Sequence, residues 1–220
     1  MSLTISVFSD VICPWCFLGK RRLEHALDGL GLRDTTTVTW LPFELNPDMP
    51  PEGVARAVYR DRKFGLARSA QLDAQMTEYG QAEGIAFAFE RMRRTPNTRD
   101  AHRLIAAGQE AGRGEALVEG LFRAYFEQGE DIGDRAVLLR LARASGLAPN
   151  AANAALARTD LSDRIVGLEA QAARMAIGGV PFFIVDEGRA VSGAQTREHW
   201  IDLIRRRQAD RDAVEAPQRD

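Results

Sequence analysis

Phe8-Ser9-Asp10-Val11-Ile12-Cys13-Pro14-Trp15-Cys16-Phe17-Leu18-Gly19 is the stretch on which the reading of this chain turns. It follows an apolar alternation, Leu3, Ile5 and Val7, that predicts a strand, and it leads into a helical pattern beginning near Pro14. The only two cysteines of the 220-residue chain therefore stand where a strand gives way to a helix. The first turn of a helix leaves backbone N–H groups without intrahelical partners, and its dipole favours negative charge there. The thiolate, not the thiol, is the nucleophile in sulfur exchange. Cys13, at that turn, reads as the attacking thiol. Cys16, about one helical turn further on, reads as the resolving thiol that closes a small disulfide ring. Pro14 suits the first helical position, where a missing N–H costs nothing, and with Trp15 it forms the dipeptide that tunes the pair.

Two other uses of a Cys-x-x-Cys pair are poorly supplied. Structural zinc takes about four ligands. The chain has no third cysteine, and His25, His102 and His199 are scattered without ligand spacing, so no metal is expected. A structural disulfide is out of place in a reducing cytosol, and the reading offers a redox pair there instead. With a net charge of −2 and no basic block, nucleic acid is not an expected partner. No apolar run approaches the roughly 20 residues of a membrane span, and Asp10 interrupts the apolar start that a secretory leader would need. The expectation is a cytoplasmic protein without a membrane partner, and a homodimer is left open.

From there the chain reads outward in both directions. Residues 3–9 give a strand, Pro14 to Leu30 a helix stopped by Gly29 and Gly31, and Thr36 to Leu45 a second strand that Pro42 ends, bends or leaves at an edge. That order predicts a parallel pair with a right-handed crossover. After the proline-rich turn at residues 46–51 come about 110 residues of helical pattern. Asn97 and Asp134 are read as N-caps and Pro149 as a helix start, while Gly84 to Phe89 fits no period. A helix over Leu161 to Ile177 stops at Gly178-Gly179. A hairpin follows, with strands over Val180–Val185 and Ala190–Ser192, and a last helix carries Trp200, Leu203 and Ile204. The expected class is α/β: β-α-β, a helical block, then α-β-β-α. Residues 1–50 and 160–208 are assigned to a thioredoxin-like unit, 51–159 to a helical insertion and 209–220 to a disordered tail.

At this point the chain resembles the DsbA family of thioredoxin-fold oxidoreductases, and within it the FrnE-like branch. The resemblance rests on Phe8-Ser9-Asp10 before Cys13-Pro14-Trp15-Cys16, on Pro42-Phe43-Glu44-Leu45-Asn46-Pro47, on Asn97-Thr98 with Ala101-His102-Arg103-Leu104, and on Gly179-Val180-Pro181-Phe182-Phe183. It implies a cis-proline at Pro181 opposite the cysteines. Local chemistry agrees in part, since X-Pro bonds tolerate cis and a proline cannot donate to a strand ladder. Val180 would then offer its backbone to an extended substrate. The resemblance also places the helix of His102 near the active-site face. Asp10 reads either as a proton acceptor for Cys16, as a turn cap or as a solvated side chain, and His102 either as functional or as structural.

The function expected is thiol–disulfide exchange on protein or small-molecule thiols and disulfides. No cofactor is expected beyond the redox-active cysteine pair, with glutathione admitted as a co-substrate. The uncharged Pro14-Trp15 dipeptide argues against the extreme oxidising case, near roughly −120 mV. Two alternatives stand beside it. One is a glutathione-dependent isomerase of small aromatic compounds, of the 2-hydroxychromene-2-carboxylate type, from which Cys13 departs because that branch usually has serine there. The other is a redox-sensing chaperone or binding module using Trp15 and the Val180-Pro181 edge.

Overall fold

The computed structural model describes residues 2–186 and 188–215, the side chains of 211–215 excepted. Strand β1 (Leu3–Ser9) is the second strand of a four-stranded sheet ordered β2-β1-β5-β6, with β2 (Thr36–Pro42), β5 (Phe182–Val185) and β6 (Arg189–Ser192). β1 runs parallel to β2, pairing Leu3 with Thr36 through Ser9 with Pro42, and antiparallel to β5, pairing Phe8 with Phe182. The parallel pair is the one the β-α-β order predicts. β2 ends at Pro42 rather than Leu45, because proline has no N–H to extend a ladder and β2 lies at the sheet edge.

Alternation along the strands sends residues to two different layers. Leu3, Ile5, Val7, Phe183 and Val185 join the main core, which includes α1 (Pro14–Leu30) and Trp200 of α9 (Arg197–Glu215). Phe8, Phe182 and Ile184 face the other way and pack with Ala172 and Ile177 beside α8 (Thr159–Arg174). Helices thus cover both faces of the sheet. α8 stops at Arg174, short of Gly178-Gly179; Ala176, with φ of 55°, makes the left-handed turn that was expected of a glycine. α9 continues to Glu215, so residues 209–215 are helix where a disordered tail was expected, while 216–220 lie outside the described residues.

Between the halves lie α2 (Arg56–Phe64), α3 (Leu66–Ala82), α4 (Arg99–Glu110), α5 (Gly114–Phe126), α6 (Arg135–Ala144) and α7 (Pro149–Ala157). Asp134 caps α6 as expected, accepting from the N–H groups of Ala136 and Val137, and Pro149 opens α7. Asn97 does not cap α4. Thr98 takes that position, while Asn97 accepts from the Arg99 N–H and donates to the Met49 carbonyl, tying the helix start to the preceding loop. The stretch without a period, Gly84–Phe89, is an irregular segment that buries Ile85 and Phe87. A two-residue ladder, β3 (Val54–Ala55) with β4 (Arg94–Thr95), clips the start of α2 to the segment before α4.

Two contacts lock the cysteine-bearing helix to this helical block. Phe17, next to Cys16, stacks on Phe122 of α5 with ring centres 5.0 Å apart and meets Phe87 edge-on. Buried Lys20 reaches Glu24, Glu115 and Glu119 at 2.5, 2.8 and 2.7 Å. Those carboxylates offset the desolvation of the ammonium, which holds its proton more firmly than a free lysine, while Glu115 and Glu119 are held below the usual carboxylate range. The position of α1 relative to the helical block is therefore set by both apolar and ionic contacts.

Candidate functional site

Cys13 is the N-cap of α1, with an extended backbone (φ −91°, ψ 112°), and Pro14 takes the first helical position. The turn that delivers it is closed by the Cys13 N–H donating to the Asp10 carbonyl at 3.0 Å. One turn on, the Cys16 N–H donates back to the Cys13 carbonyl at 3.0 Å. Both cysteines are free thiols and both are buried. Cys13 lines a cavity of about 330 Å³, whereas Cys16 does not. Burial, reinforced by the neighbouring Cys13, pushes the Cys16 thiol well above the ordinary range; the Ser9 hydroxyl and the Asp10 backbone N–H oppose that shift. The two thiols thus differ in access to the cavity.

The opposing wall is the Val180–Pro181 peptide, which is cis. Cys13 Sγ donates to the Val180 carbonyl across 3.6 Å. Gly19 lets the two walls meet: a Cβ there would stand 3.0 Å from Pro181 Cγ and 3.3 Å from the Phe183 ring. Trp15 lies at the rim, 38% exposed, and leans on Tyr79 of α3 with ring centres 5.7 Å apart.

Asp10 and His102, far apart in sequence, are brought together. Asp10 is fully buried, so the solvated alternative falls away. Its carboxylate accepts from the Leu45 N–H at 2.8 Å and the Ile12 N–H at 3.4 Å, which makes it a turn anchor. His102 of α4, 4% exposed, places Nε2 at 3.5 Å from Asp10 Oδ1.

The far wall of the cavity was not anticipated. α2 has no buried residue and sends Arg56, Arg60 and Lys63 to the cavity lining. Asp73 of α3 pairs with Arg56 at 2.7 Å and Arg60 at 2.9 Å. Lys63 instead bonds the Tyr59 hydroxyl at 2.6 Å, and no carboxylate among the described residues pairs with it. Basic residues at 56, 60 and 63 recur at helical spacing, a signal that was present in the sequence. Among the described residues no group of His, Cys, Asp and Glu could hold a metal, and no helix is long and apolar enough to cross a membrane.

A thioredoxin-type sheet with a Cys-x-x-Cys at the start of its first helix, a cis-proline opposite and a helical block between its halves defines a DsbA-like protein. The chain belongs to the DSBA-like thioredoxin domain family, whose profile matches residues 4–204. It is similar to a probable DsbA oxidoreductase from Streptomyces coelicolor, at 29% identity and a TM-score of 0.85 over 99% of this chain and 93% of that one. Two more distant structures show the same fold. One is 2-hydroxychromene-2-carboxylate isomerase (17% identity, TM-score 0.72, covering 97% of this chain and 100% of that one). The other is the cytosolic disulfide reductase DsbM from Pseudomonas aeruginosa, solved with glutathione (18% identity, TM-score 0.68, covering 94% and 99%).

Proposed function

We propose that the protein is a thiol–disulfide oxidoreductase working through Cys13 and Cys16. One observation carries this reading: Cys13, at the helix N-terminus, opens into a cavity and faces Val180 across 3.6 Å, while Cys16 is buried one turn behind it. In the reducing direction the Cys13 thiolate attacks a substrate disulfide. One substrate sulfur leaves as a thiolate and the other stays bonded to Cys13. Cys16 then attacks Cys13 Sγ, releasing the second substrate thiolate and closing the Cys13–Cys16 disulfide. The oxidising direction is the same sequence reversed. Pro14 starts the helix that presents the pair, Trp15 supplies an apolar rim, and Val180 with Pro181 lines an extended substrate beside the sulfur. The pair needs no further cofactor, and a reducing cytoplasm, the compartment of one fold neighbour, suits it.

The cationic wall favours a second reading of the same pocket. Arg56, Arg60 and Lys63 beside a cavity of about 330 Å³ suit an anionic small thiol such as glutathione, either as co-substrate or as the reactive group of an isomerase. The two readings separate in one comparison. Thiol-driven reduction of insulin disulfides by the wild type, lost in Cys13→Ser, supports exchange. Glutathione-dependent isomerisation of 2-hydroxychromene-2-carboxylate that survives Cys13→Ser and Cys16→Ser would replace it with the isomerase. A third reading, a redox-sensing binding module, would be supported if neither activity were found and suppression of aggregation survived loss of both cysteines.

A further inference from the structure

The cavity that Cys13 lines is apolar over most of its surface and charged on one wall. Met76, Met92 and Phe126 contribute to it from within the hydrophobic core. Phe64 and Leu72 line it without joining the core of the described residues, so the cavity presents apolar surface that no core residue covers. On the wall made by α2, three cations, Arg56, Arg60 and Lys63, share one lining carboxylate, Asp73. Its two oxygens are taken by Arg56 at 2.7 Å and Arg60 at 2.9 Å. Lys63 gives one N–H to the Tyr59 hydroxyl at 2.6 Å, and that hydroxyl donates to Asn46 Oδ1 at 2.8 Å. An ammonium has three N–H donors, so Lys63 keeps two beyond the one on Tyr59. Apolar walls with a few convergent polar groups are the usual make-up of a small-molecule site.

We infer that the cavity takes a dithiol, or the matching disulfide, carried on a short hydrocarbon chain that ends in a carboxylate. The sulfurs lie at Cys13, the chain against Leu72, Phe64 and Met76, and the carboxylate at Lys63. The inference rests on the exchange reading given above and adds a substrate class to it. Glutathione is served less well by the same lining. Its carboxylates meet the cations, but its ammonium finds no free lining carboxylate among the described residues, because Asp73 is engaged. Its peptide groups would also lie against apolar side chains, and a polar group buried without a partner costs free energy. With the oxidised Cys13–Cys16 pair, one ligand thiolate attacks Cys13 Sγ, the Cys13–Cys16 bond breaks and Cys16 leaves as a thiolate. The second ligand thiolate then attacks the ligand sulfur bonded to Cys13, closing the ligand disulfide and releasing the Cys13 thiolate. The ligand loses two electrons, the cysteine pair gains them, and the two thiol protons pass through solvent to the cysteines. The reverse sequence reduces the ligand disulfide.

The test compares three dithiols as reductants of the oxidised full-length protein: dihydrolipoate, its neutral amide dihydrolipoamide, and the polar, uncharged dithiothreitol. Each second-order rate is divided by that thiol's rate with hydroxyethyl disulfide in free solution, which removes intrinsic reactivity. Dihydrolipoate should exceed dihydrolipoamide by about fivefold, the size of one exposed ion pair, and the ratio should shrink in high salt. Lys63→Met should bring the acid down to the amide. Dihydrolipoamide should in turn exceed dithiothreitol, and Leu72→Gln should remove most of that advantage. Equal normalised rates for acid and amide in the wild type, or a preference for the acid that persists in Lys63→Met, would overturn the assignment of the carboxylate. Equal normalised rates for the amide and dithiothreitol would overturn the assignment of the chain. Either result leaves thiol–disulfide exchange standing, whereas a Cys13–Cys16 disulfide that none of the three dithiols reduces would overturn the exchange reading and the substrate class with it.

Discussion

Cys13 Sγ lies 3.6 Å from the carbonyl oxygen of Val180, the residue that enters the cis bond to Pro181. Segments far apart in the chain, one leaving β1 and one entering its neighbour β5, thus meet at one sulfur. On the proposed exchange reading, an incoming disulfide would sit in the cavity that Cys13 lines, between the helix start and the Val180 backbone, and Cys16, which does not line that cavity, would reach it through Cys13.

Removing the two thiols should therefore have unlike effects. Cys13→Ser should abolish reduction of insulin disulfides. Cys16→Ser should leave Cys13 able to attack and unable to resolve, so a covalent mixed disulfide with substrate should accumulate. Mass spectrometry of the quenched reaction checks this, and adducts at Cys16 in the Cys13→Ser protein would contradict the assignment of roles.

Gly19→Ala tests the wall opposite. Its Cβ would come within 3.0 Å of Pro181 Cγ and 3.3 Å of the Phe183 ring, so these neighbours would have to give by a few tenths of an ångström. The expected result is a loss of about 1–3 kcal/mol of stability, read by denaturant titration, together with slower exchange. Leu18, on the same helix and fully buried elsewhere in the core, is a control site: Leu18→Met should cost less than about 1.5 kcal/mol and leave the exchange rate nearly unchanged.

The Cys16 thiol gives a pH dependence with a defined sign. Burial raises its pKa in the folded protein, so the folded state binds this proton more tightly than the unfolded chain does. The stabilisation is complete below the unfolded thiol value of about 8.5 and is lost as pH rises from there toward the folded value. The unfolding free energy of the reduced protein should therefore fall with alkaline pH, and Cys16→Ala should flatten that slope. Equal slopes in the two proteins would contradict the burial argument.

Lys63 tests the cationic wall. Charge reversal in Lys63→Glu should lower kcat/KM for oxidised glutathione about fivefold, an exposed-pair effect of about 1 kcal/mol. The uncharged hydroxyethyl disulfide should be affected much less. Equal losses on both substrates would point to a packing role for α2.

Much of this site was legible in the sequence because its chemistry is local. Cys13, Pro14 and Cys16 sit within one turn, and the strand before them is marked by simple alternation. Val180-Pro181 follows two glycines and opens a strand, which singles it out. The family resemblance then matched segments across the whole chain. What was not legible depends on contacts between distant segments. Asp10 and His102 carry no mutual signal in sequence, and only the packing of α4 against the β1–α1 turn joins them. β3 and β4 are two residues each, too short to show a period. Gly84–Phe89 is shaped by burying Ile85 and Phe87 against aromatic neighbours, which overrides local propensity. α8 likewise ends at Arg174, with its left-handed turn at Ala176 rather than at the glycines that follow.

The central claim is that Cys13 and Cys16 form one two-electron couple. Equilibration with glutathione buffers of graded potential, followed by acid quenching, thiol alkylation and mass analysis, tests it most directly. The account predicts a single transition from dithiol to an intramolecular Cys13–Cys16 disulfide, with a midpoint between roughly −270 and roughly −120 mV. A protein that stays reduced throughout, or that gains glutathione on Cys13 without ever closing the ring, would contradict it.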